Sequence, residues 1–309
     1  MLAGQRLAAM GKFTPEFPDA EALHVGLARW NRRRLAVQTP HGDWPSQLLE
    51  DQRMLRLEGA FVEAFRTHVA ELVSGVPSNP ERFIAWFEDL KMSGPGQWDP
   101  LFDWLATTAT LEQMKWFLNQ EAAGEAGFED LVALTQVKLP ARAKLELARN
   151  YWDEMGRGSP GGMHGPMLER TVAGLDLHPT IEGTLWQSLC LANLMTALAT
   201  TRRYTYQSIG ALGVVELTAP TRVSSLDAGL KRLGCAPEQR KYFALHAHLD
   251  VEHSIAWNAE ALIPLVEEAP ARAKFIAEGA LMRLICGEQC FTAYSAALLA
   301  HHHPLVYAA

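Results

Sequence analysis

The chain lacks several features that mark large protein classes. Only four of its 309 residues are cysteine, and no further ligands stand near them, so neither a disulfide scaffold nor a zinc site is indicated. No apolar run reaches the ~18 residues that a membrane-spanning helix needs, and the opening residues MLAGQRLAAMGKF are weakly hydrophobic for a signal peptide. We expect a cytoplasmic protein whose Cys190, Cys235, Cys286 and Cys290 are reduced and act as small hydrophobes.

A basic charge excess is also absent. The formal net charge is -7, so no electrostatic footprint for nucleic acid exists. Neither a Gly-x-Ser-x-Gly motif, nor a His-Glu-x-x-His motif, nor a Rossmann glycine fingerprint occurs. A small-molecule substrate is therefore the expected partner, rather than nucleic acid or a membrane. A homodimer is a candidate assembly, because symmetric dimers are the commonest oligomers.

Strand-like patterning is missing as well. Helical periodicity covers most of the chain instead, and it predicts helices over 17–38, 44–73, 80–91, 101–122, 126–137, 140–155, 165–174, 179–202, 204–217, 222–232, 236–267 and 270–300. Pro220 is expected to end the helix that starts at 204. Long helices with short connections predict an all-α bundle. Residues 1–95 would form a helical extension packed on a domain of residues 96–309, together one structural unit.

What the chain does contain is a triplet of metal-binding side chains. In the run HAHLDVEH, His246, Asp250 and His253 occupy positions i, i+4 and i+7. At about 100° per residue these positions lie within roughly 60° of one another on one helix face. Two imidazoles and a carboxylate aimed at one point form half of a metal site, and this ligand set suits iron or manganese. The histidines at 301–303 are expected to form a solvated tail.

Further candidate ligands lie upstream of this triplet. Glu154 ends a predicted helix in NYWDEMGRGSPGGMHGPML, and His164 follows the glycine-rich break, which can turn both side chains toward one point. Glu216 is the only acid in the apolar stretch IGALGVVELTAP, just before the expected helix end. An ionised carboxylate in such surroundings needs a partner, since isolated buried charge is costly. A metal ion would supply that partner.

An earlier glutamate is also a candidate. Glu121 follows the apolar run MKWFL, and Glu125 and Glu129 each lie about one turn further on. The three can share one solvated stripe, and spacing does not decide whether Glu121 or Glu125 reaches a metal. In total the candidate ligands are three histidines and three or four carboxylates. That is the ligand balance of a carboxylate-bridged di-iron or di-manganese centre.

Taken together, these motifs resemble the iron-containing redox enzyme family, within the heme-oxygenase-like di-iron oxidase and oxygenase superfamily. The likeness rests on NYWDEMGRG…MHGPML, GALGVVELTAP and LHAHLDVEHSIAW, in that order, and spans roughly residues 85–300. It implies a heme-oxygenase-like helical fold, O₂ as co-substrate, no heme, and two irons per chain, which such sites can lose on purification. The metal ligands that it implies are Glu154, His164, Glu216, His246, Asp250, His253 and, least directly, Glu121.

The resemblance therefore predicts a non-heme di-iron, O₂-dependent oxidase or oxygenase that acts on a small molecule. N-oxygenation of an amine or amino-acid derivative is the favoured reaction, with an external electron donor as a candidate partner. The alternatives are desaturation or oxidative C–C cleavage of an aliphatic acid, a metal-free helical enzyme, and a non-catalytic metal-binding protein. No catalytic residue beyond the ligands is assigned. Arg202, Arg203 and Tyr206 lie near the ligands in sequence and are the candidate substrate-binding residues.

Overall fold

The computed structural model describes residues 19–40 and 42–300. Helices account for 80% of these residues, and no strand occurs among them. This confirms the predicted all-α class. The opening segment MLAGQRLAAMGKF and the histidines at 301–303 lie outside the described residues.

Thirteen α-helices follow one another along the described part of the chain. They are α1 (Ala20–Leu35), α2 (Trp44–Val69), α3 (Pro80–Ser93), α4 (Pro100–Thr107), α5 (Leu111–Gly124), α6 (Phe128–Thr135), α7 (Ala141–Glu154), α8 (His164–Gly174), α9 (Trp186–Thr200), α10 (Thr205–Arg232), α11 (Pro237–Trp257), α12 (Ile263–Glu268) and α13 (Arg272–Ala300). Short 3₁₀ turns span Gly156–Gly158, Pro160–Gly162 and Arg202–Tyr204, and a π turn spans Asn258–Leu262.

The helix predicted over 101–122 is in fact two helices. The Thr110 hydroxyl accepts a hydrogen bond from the Gln113 N–H at 3.3 Å, and the Gln113 side chain accepts one from the Thr110 N–H at 2.9 Å. This reciprocal pair is a capping box, which satisfies two backbone donors at a helix start. The chain therefore begins a new helix at Leu111.

The expected helix end at Pro220 is wrong. Pro220 lies inside α10, which continues to Arg232. An interior proline costs a helix about 3 kcal/mol through its lost hydrogen bond and ring clash. Helices α4, α11 and α13 all pack against α10, and burial against these three neighbours offsets that local cost. Glu216 consequently lies in the middle of a long buried helix rather than near its end.

Helix α10 is the centre of the bundle, and glycines bring it close to α13. A methyl group at Gly210 would overlap the carbonyl oxygen of Ile276, and one at Gly279 would overlap the carbonyl oxygen of Gln207. Only glycine allows two helix backbones to approach this closely. The close contact fixes the depth of α10 between its neighbours, and with it the position of Glu216.

Two hydrophobic clusters hold the bundle together. The first joins the early helices to the later ones, with Phe61 and Phe87 packed in the same cluster as Leu212 and Trp257. The helices of the predicted extension therefore share a core with the bundle, and the boundary near residue 95 stays a prediction. Side chains of α4, α5, α10, α11 and α13 form the second cluster.

The cysteines follow the expected pattern of small hydrophobes. Cys190, Cys286 and Cys290 are buried, Cys235 is partly buried, and all four are free thiols. In the described part of the chain, every helix falls short of the combined length and hydropathy that crossing a bilayer requires.

Candidate metal centre

The glycine-rich loop between α7 and α8 brings the first two candidate ligands together. Glu154 is the last residue of α7 and His164 is the first residue of α8. Gly156 has a positive φ of 61°, and a methyl group there would overlap the backbone of Gly162. The loop is therefore folded tightly on itself, and the His164 Nδ1 atom lies 2.6 Å from Glu154 Oε2.

Helices α10 and α11 bring the other candidates to the same place. The Nδ1 atom of His253 lies 3.5 Å from Glu216 Oε1 and 3.9 Å from Glu154 Oε1. The rings of His164 and His246 meet edge to face, with centroids 4.6 Å apart. All five side chains are buried, so residues far apart in sequence converge in the protein interior.

The donor atoms fall into two groups that share one residue. Glu154, His164 and His246 form the first group, and Glu154, Glu216 and His253 form the second. Within each group the donor atoms lie within 4.8 Å of one another. The second sequence candidate on α11, Asp250, belongs to neither group but lines the same cavity.

The state of these atoms fits metal ligation. Among the described residues, the buried atoms His164 Nδ1, His253 Nδ1 and Asp250 Oδ1 make no hydrogen bond of acceptable geometry, although the two histidine atoms lie close to carboxylate oxygens. Buried polar atoms without a partner are rare in folded proteins and require an explanation. On His246, the Nδ1–H donates to the Tyr242 carbonyl oxygen at 2.7 Å, which leaves Nε2 free to act as a ligand. The donor set therefore suits iron.

The electrostatics of the group indicate the same need for cations. Burial, with Glu216 second, raises the pKa of Glu154 to about 9, and burial raises the pKa of Asp250 well above its ordinary value. Burial lowers the pKa of His246 to about 4. Burial opposes protonation of His253 too, but the nearby Glu216 carboxylate raises its pKa overall. The carboxylates ionise fully only when positive charge enters the group.

Two supporting residues precede Glu154 in the run NYWDE, and sequence reasoning missed both. The Asn150 amide donates to Glu216 Oε1 at 2.6 Å. Asp153 Oδ2 lies 3.3 Å from His253 Nε2, and Asp153 is itself held by an ion pair with Arg157. A carboxylate behind a metal-binding histidine fixes the orientation of its ring. The helical spacing of Asn150 and Asp153 relative to Glu154 is the signal that could have found them.

A cavity of about 190 Å³ opens beside the donor groups. Its wall follows regular helical stripes on α5, α8, α10 and α11. Glu121, Glu125 and Glu129 all line this cavity, so the stripe that they share borders the candidate site. Glu129 was not among the sequence candidates, yet its charge acts on the pKa of His164.

The two early glutamates have different roles in this wall. Glu121 contacts the Tyr294 hydroxyl, and burial raises the pKa of its carboxyl. The Glu125 carboxylate accepts hydrogen bonds from the N–H groups of Gly127 and Phe128 at 3.1 and 3.0 Å. Burial, followed by the neighbouring Glu129, raises the pKa of Glu125 to about 7. Neither residue belongs to a donor group.

The proposed substrate-binding residues lie elsewhere. Arg202 donates to the carbonyl oxygens of Leu134, Thr135 and Val137, where it closes the end of α6. Arg203 is an exposed residue paired with Glu63, and the Tyr206 ring contacts Arg272. None of the three lines the cavity. Residues that are close to the ligands in sequence can still point away from them, because the direction of a side chain depends on its position around the helix. The cavity arginines are Arg222 and Arg283.

The chain matches known proteins at two levels. The model of a family described as iron-containing redox enzyme matches residues 115–288, more than half of the chain. The chain therefore belongs to the iron-containing redox enzyme family, which confirms the resemblance seen in the motifs. Among curated proteins, none matches the chain significantly.

Two crystal structures of one protein share the fold of this chain at low sequence identity. A CADD-like protein of unknown function from Nostoc punctiforme PCC 73102 is 15% identical, with a TM-score of 0.55 over 73% of this chain and 98% of that one. A second crystal structure of it gives 14% identity and a TM-score of 0.58 over 71% and 98%. A domain of unknown function with a heme oxygenase-like fold from Shewanella denitrificans OS217 gives 14% identity and a TM-score of 0.46 over 74% and 96%.

Proposed function

We propose that this member of the iron-containing redox enzyme family is a non-heme di-iron oxidase or oxygenase that uses O₂ to oxidise a small molecule. The observation that supports this most strongly is the position of Glu154 in both donor groups. A carboxylate offers two oxygens and can bridge two metal ions. One shared carboxylate with a separate set of ligands on each side is the arrangement expected of a dinuclear centre.

The role of each residue follows from its place in the two groups. His164 and His246 would hold one ion, Glu216 and His253 would hold the other, and Glu154 would bridge them. Asp250 lines the same cavity with an unpartnered oxygen and would add a ligand. Glu121 would be a weaker addition. Bound iron with open coordination positions supplies the redox chemistry for O₂.

The protein itself supplies orientation and a partly apolar wall. Tyr242 fixes the tautomer of His246 through its carbonyl, and Asp153 fixes the ring of His253. Apolar side chains such as Leu118 and Val215 line the cavity beside the donors. In the metal-free protein Glu154 holds a proton on its carboxyl, and this proton leaves when a cation binds.

The favoured reaction is N-oxygenation of an amine or amino-acid derivative. Desaturation or oxidative C–C cleavage of an aliphatic acid is the second candidate. The apolar wall suits an aliphatic substrate, whereas the arginines in the same wall suit an acid of either kind. In both reactions an external electron donor would supply the electrons that the reaction with O₂ requires.

Anaerobic loading with Fe(II), followed by rapid mixing with O₂, tests the proposal. The expected result is two irons per chain, O₂ consumption, and a visible absorption change that depends on both. Turnover by a chain without metal would favour the metal-free enzyme, and two irons with no O₂ consumption would favour metal storage. With ¹⁸O₂, an oxygenase places label in the product, whereas a desaturase does not.

A further inference from the structure

We propose that Arg222 and Arg283 form an anion-binding subsite in the cavity, and that the substrate carries a carboxylate which binds there. The subsite itself stands on the cavity geometry. The assignment of its ligand as the substrate rests on the proposed function.

One face of α10 carries both Glu216, which belongs to a donor group, and Arg222, which belongs to the subsite. The residues of α10 that line the cavity are spaced at i, i+1, i+4, i+7, i+8 and i+11, which is one continuous helical stripe. They are Val215, Glu216, Ala219, Arg222, Val223 and Leu226. Arg222 lies six positions after Glu216, which corresponds to a rise of about 9 Å along the helix. Arg283 reaches the same cavity from α13.

Neither guanidinium has a close anionic partner. Among the described residues, no carboxylate oxygen lies within 4.0 Å of Arg222 or Arg283. Other poorly exposed arginines in this protein are paired, such as Arg34 with Glu58 at 2.6 Å. The Arg222 guanidinium instead stands 5.7 Å from the centre of the Phe291 ring. Burial, with the charge of Arg283 second, lowers the pKa of Arg222 to about 9, so the Arg222 guanidinium remains charged at neutral pH.

The negative groups that act on Arg222 have another assignment. The carboxylates whose charges act on Arg222 are Glu121 and Asp250. Both are candidate metal ligands, and a bound cation would draw on their charge. The two arginines would then be left to a ligand in the cavity.

A carboxylate suits the subsite better than a phosphate ester. Guanidinium groups bind carboxylates through two parallel hydrogen bonds. A monoanion also meets less repulsion than a dianion in a cavity that Glu125 and Glu129 line. The bound molecule would place its apolar body along Ala219 and Val215, on the side of Arg222 that faces Glu216, and its far end would reach the donor group at Glu154.

Titration calorimetry on the metal-free full-length chain tests the subsite. The probes are hexanoate, octanoate and 6-aminohexanoate, their primary amides, and hexyl phosphate. We expect at least one acid to bind about ten-fold or more tightly than its amide, because hydrogen bonds to charged groups contribute about 1.5–3 kcal/mol. Arg222→Met and Arg283→Met should each weaken that acid by about 10- to 100-fold, and Arg222→Lys should weaken it less.

The control is Arg29→Met, which removes an exposed arginine paired with Glu182 and should leave the affinity unchanged. Circular dichroism verifies that each variant is folded, and the comparison of acid with amide in the wild type needs no variant. The subsite is overturned if no acid binds better than its amide, or if folded Arg222→Met and Arg283→Met keep wild-type affinity. Tighter binding of hexyl phosphate than of octanoate overturns the carboxylate assignment. Acid binding in a chain that takes up no iron would refute the di-iron function and support the subsite.

Discussion

Replacing Glu154 by glutamine removes one charge from the carboxylate that both donor groups share while keeping its shape. Glu154 is only 3% exposed, and its pKa in the metal-free protein is about 9, compared with an ordinary value of 4.5. Between these two pH values the folded chain binds a proton that the unfolded chain has lost. The free energy of unfolding therefore falls by about 1.4 kcal/mol per pH unit as pH rises through this window.

The sign of this effect makes the variant informative. From pH 5 to pH 7 the metal-free wild type should lose about 3 kcal/mol of stability through this group. Glutamine does not titrate, so the metal-free Glu154→Gln chain should show a flatter pH profile and should be more stable than wild type at pH 7. We therefore expect that replacing this ligand raises the free energy of unfolding of the metal-free protein.

The same substitution should have the opposite effect on iron. In the wild type, iron displaces the Glu154 proton, so affinity should rise by about ten-fold per pH unit up to pH 9. A neutral amide cannot bridge two cations, and we expect the iron content to fall from two per chain to one or none. Urea titration at pH 5, 7 and 9 measures stability, and elemental analysis after anaerobic loading measures iron.

The matched control is Glu252→Gln, which changes an exposed carboxylate on the ligand helix α11. It should retain two irons and the wild-type pH profile. A Glu154→Gln chain that binds two irons with wild-type affinity would refute the bridging role. A stability profile parallel to that of the wild type would refute the assignment of the raised pKa to Glu154.

Three further changes test the site and the fold. His253→Ala and Asp250→Ala should each lower the iron content and abolish O₂ consumption, and a variant with two irons and full turnover would remove its residue from the ligand set. Glu121→Ala should lower iron content more mildly, whereas Glu125→Ala should mainly cost about 1 kcal/mol of stability through its lost hydrogen bonds; the reverse order of iron loss would identify Glu125 as the ligand. Gly210→Ala should cost at least about 1–3 kcal/mol by overpacking the contact of α10 with α13, and a wild-type melting temperature would contradict that contact.

The parts of the site that sequence reasoning found are those with a local signal. His246, Asp250 and His253 share a face because they lie on one regular helix, whose geometry follows from spacing alone. Glu216 is detectable because an isolated acid in an apolar stretch requires a partner. The glycines around Gly156 indicate a tight loop, and the structure shows one between Glu154 and His164.

The parts that it missed depend on packing between distant helices. Pro220 has the local character of a helix end, and only burial of α10 by its neighbours overrides this. Arg222 and Arg283 lie 61 positions apart on different helices, and nothing local shows that they face one cavity. Arg202 stands near the ligands in sequence and is therefore the predicted substrate-binding residue, but its side chain hydrogen-bonds to the carbonyl oxygens at the end of α6.

The π turn at Asn258–Leu262 has a consequence for how this chain can vary. Such a turn accommodates one extra residue in an otherwise regular helix. It begins five positions after His253, directly after α11. A residue inserted between His246 and His253 would rotate one ligand about 100° away from the other, whereas gain or loss of one residue in the π turn would leave the ligand phase intact. A change of length in the π turn therefore leaves the spacing of the ligands on α11 constant. The helix after the turn, α12, can adjust its packing separately.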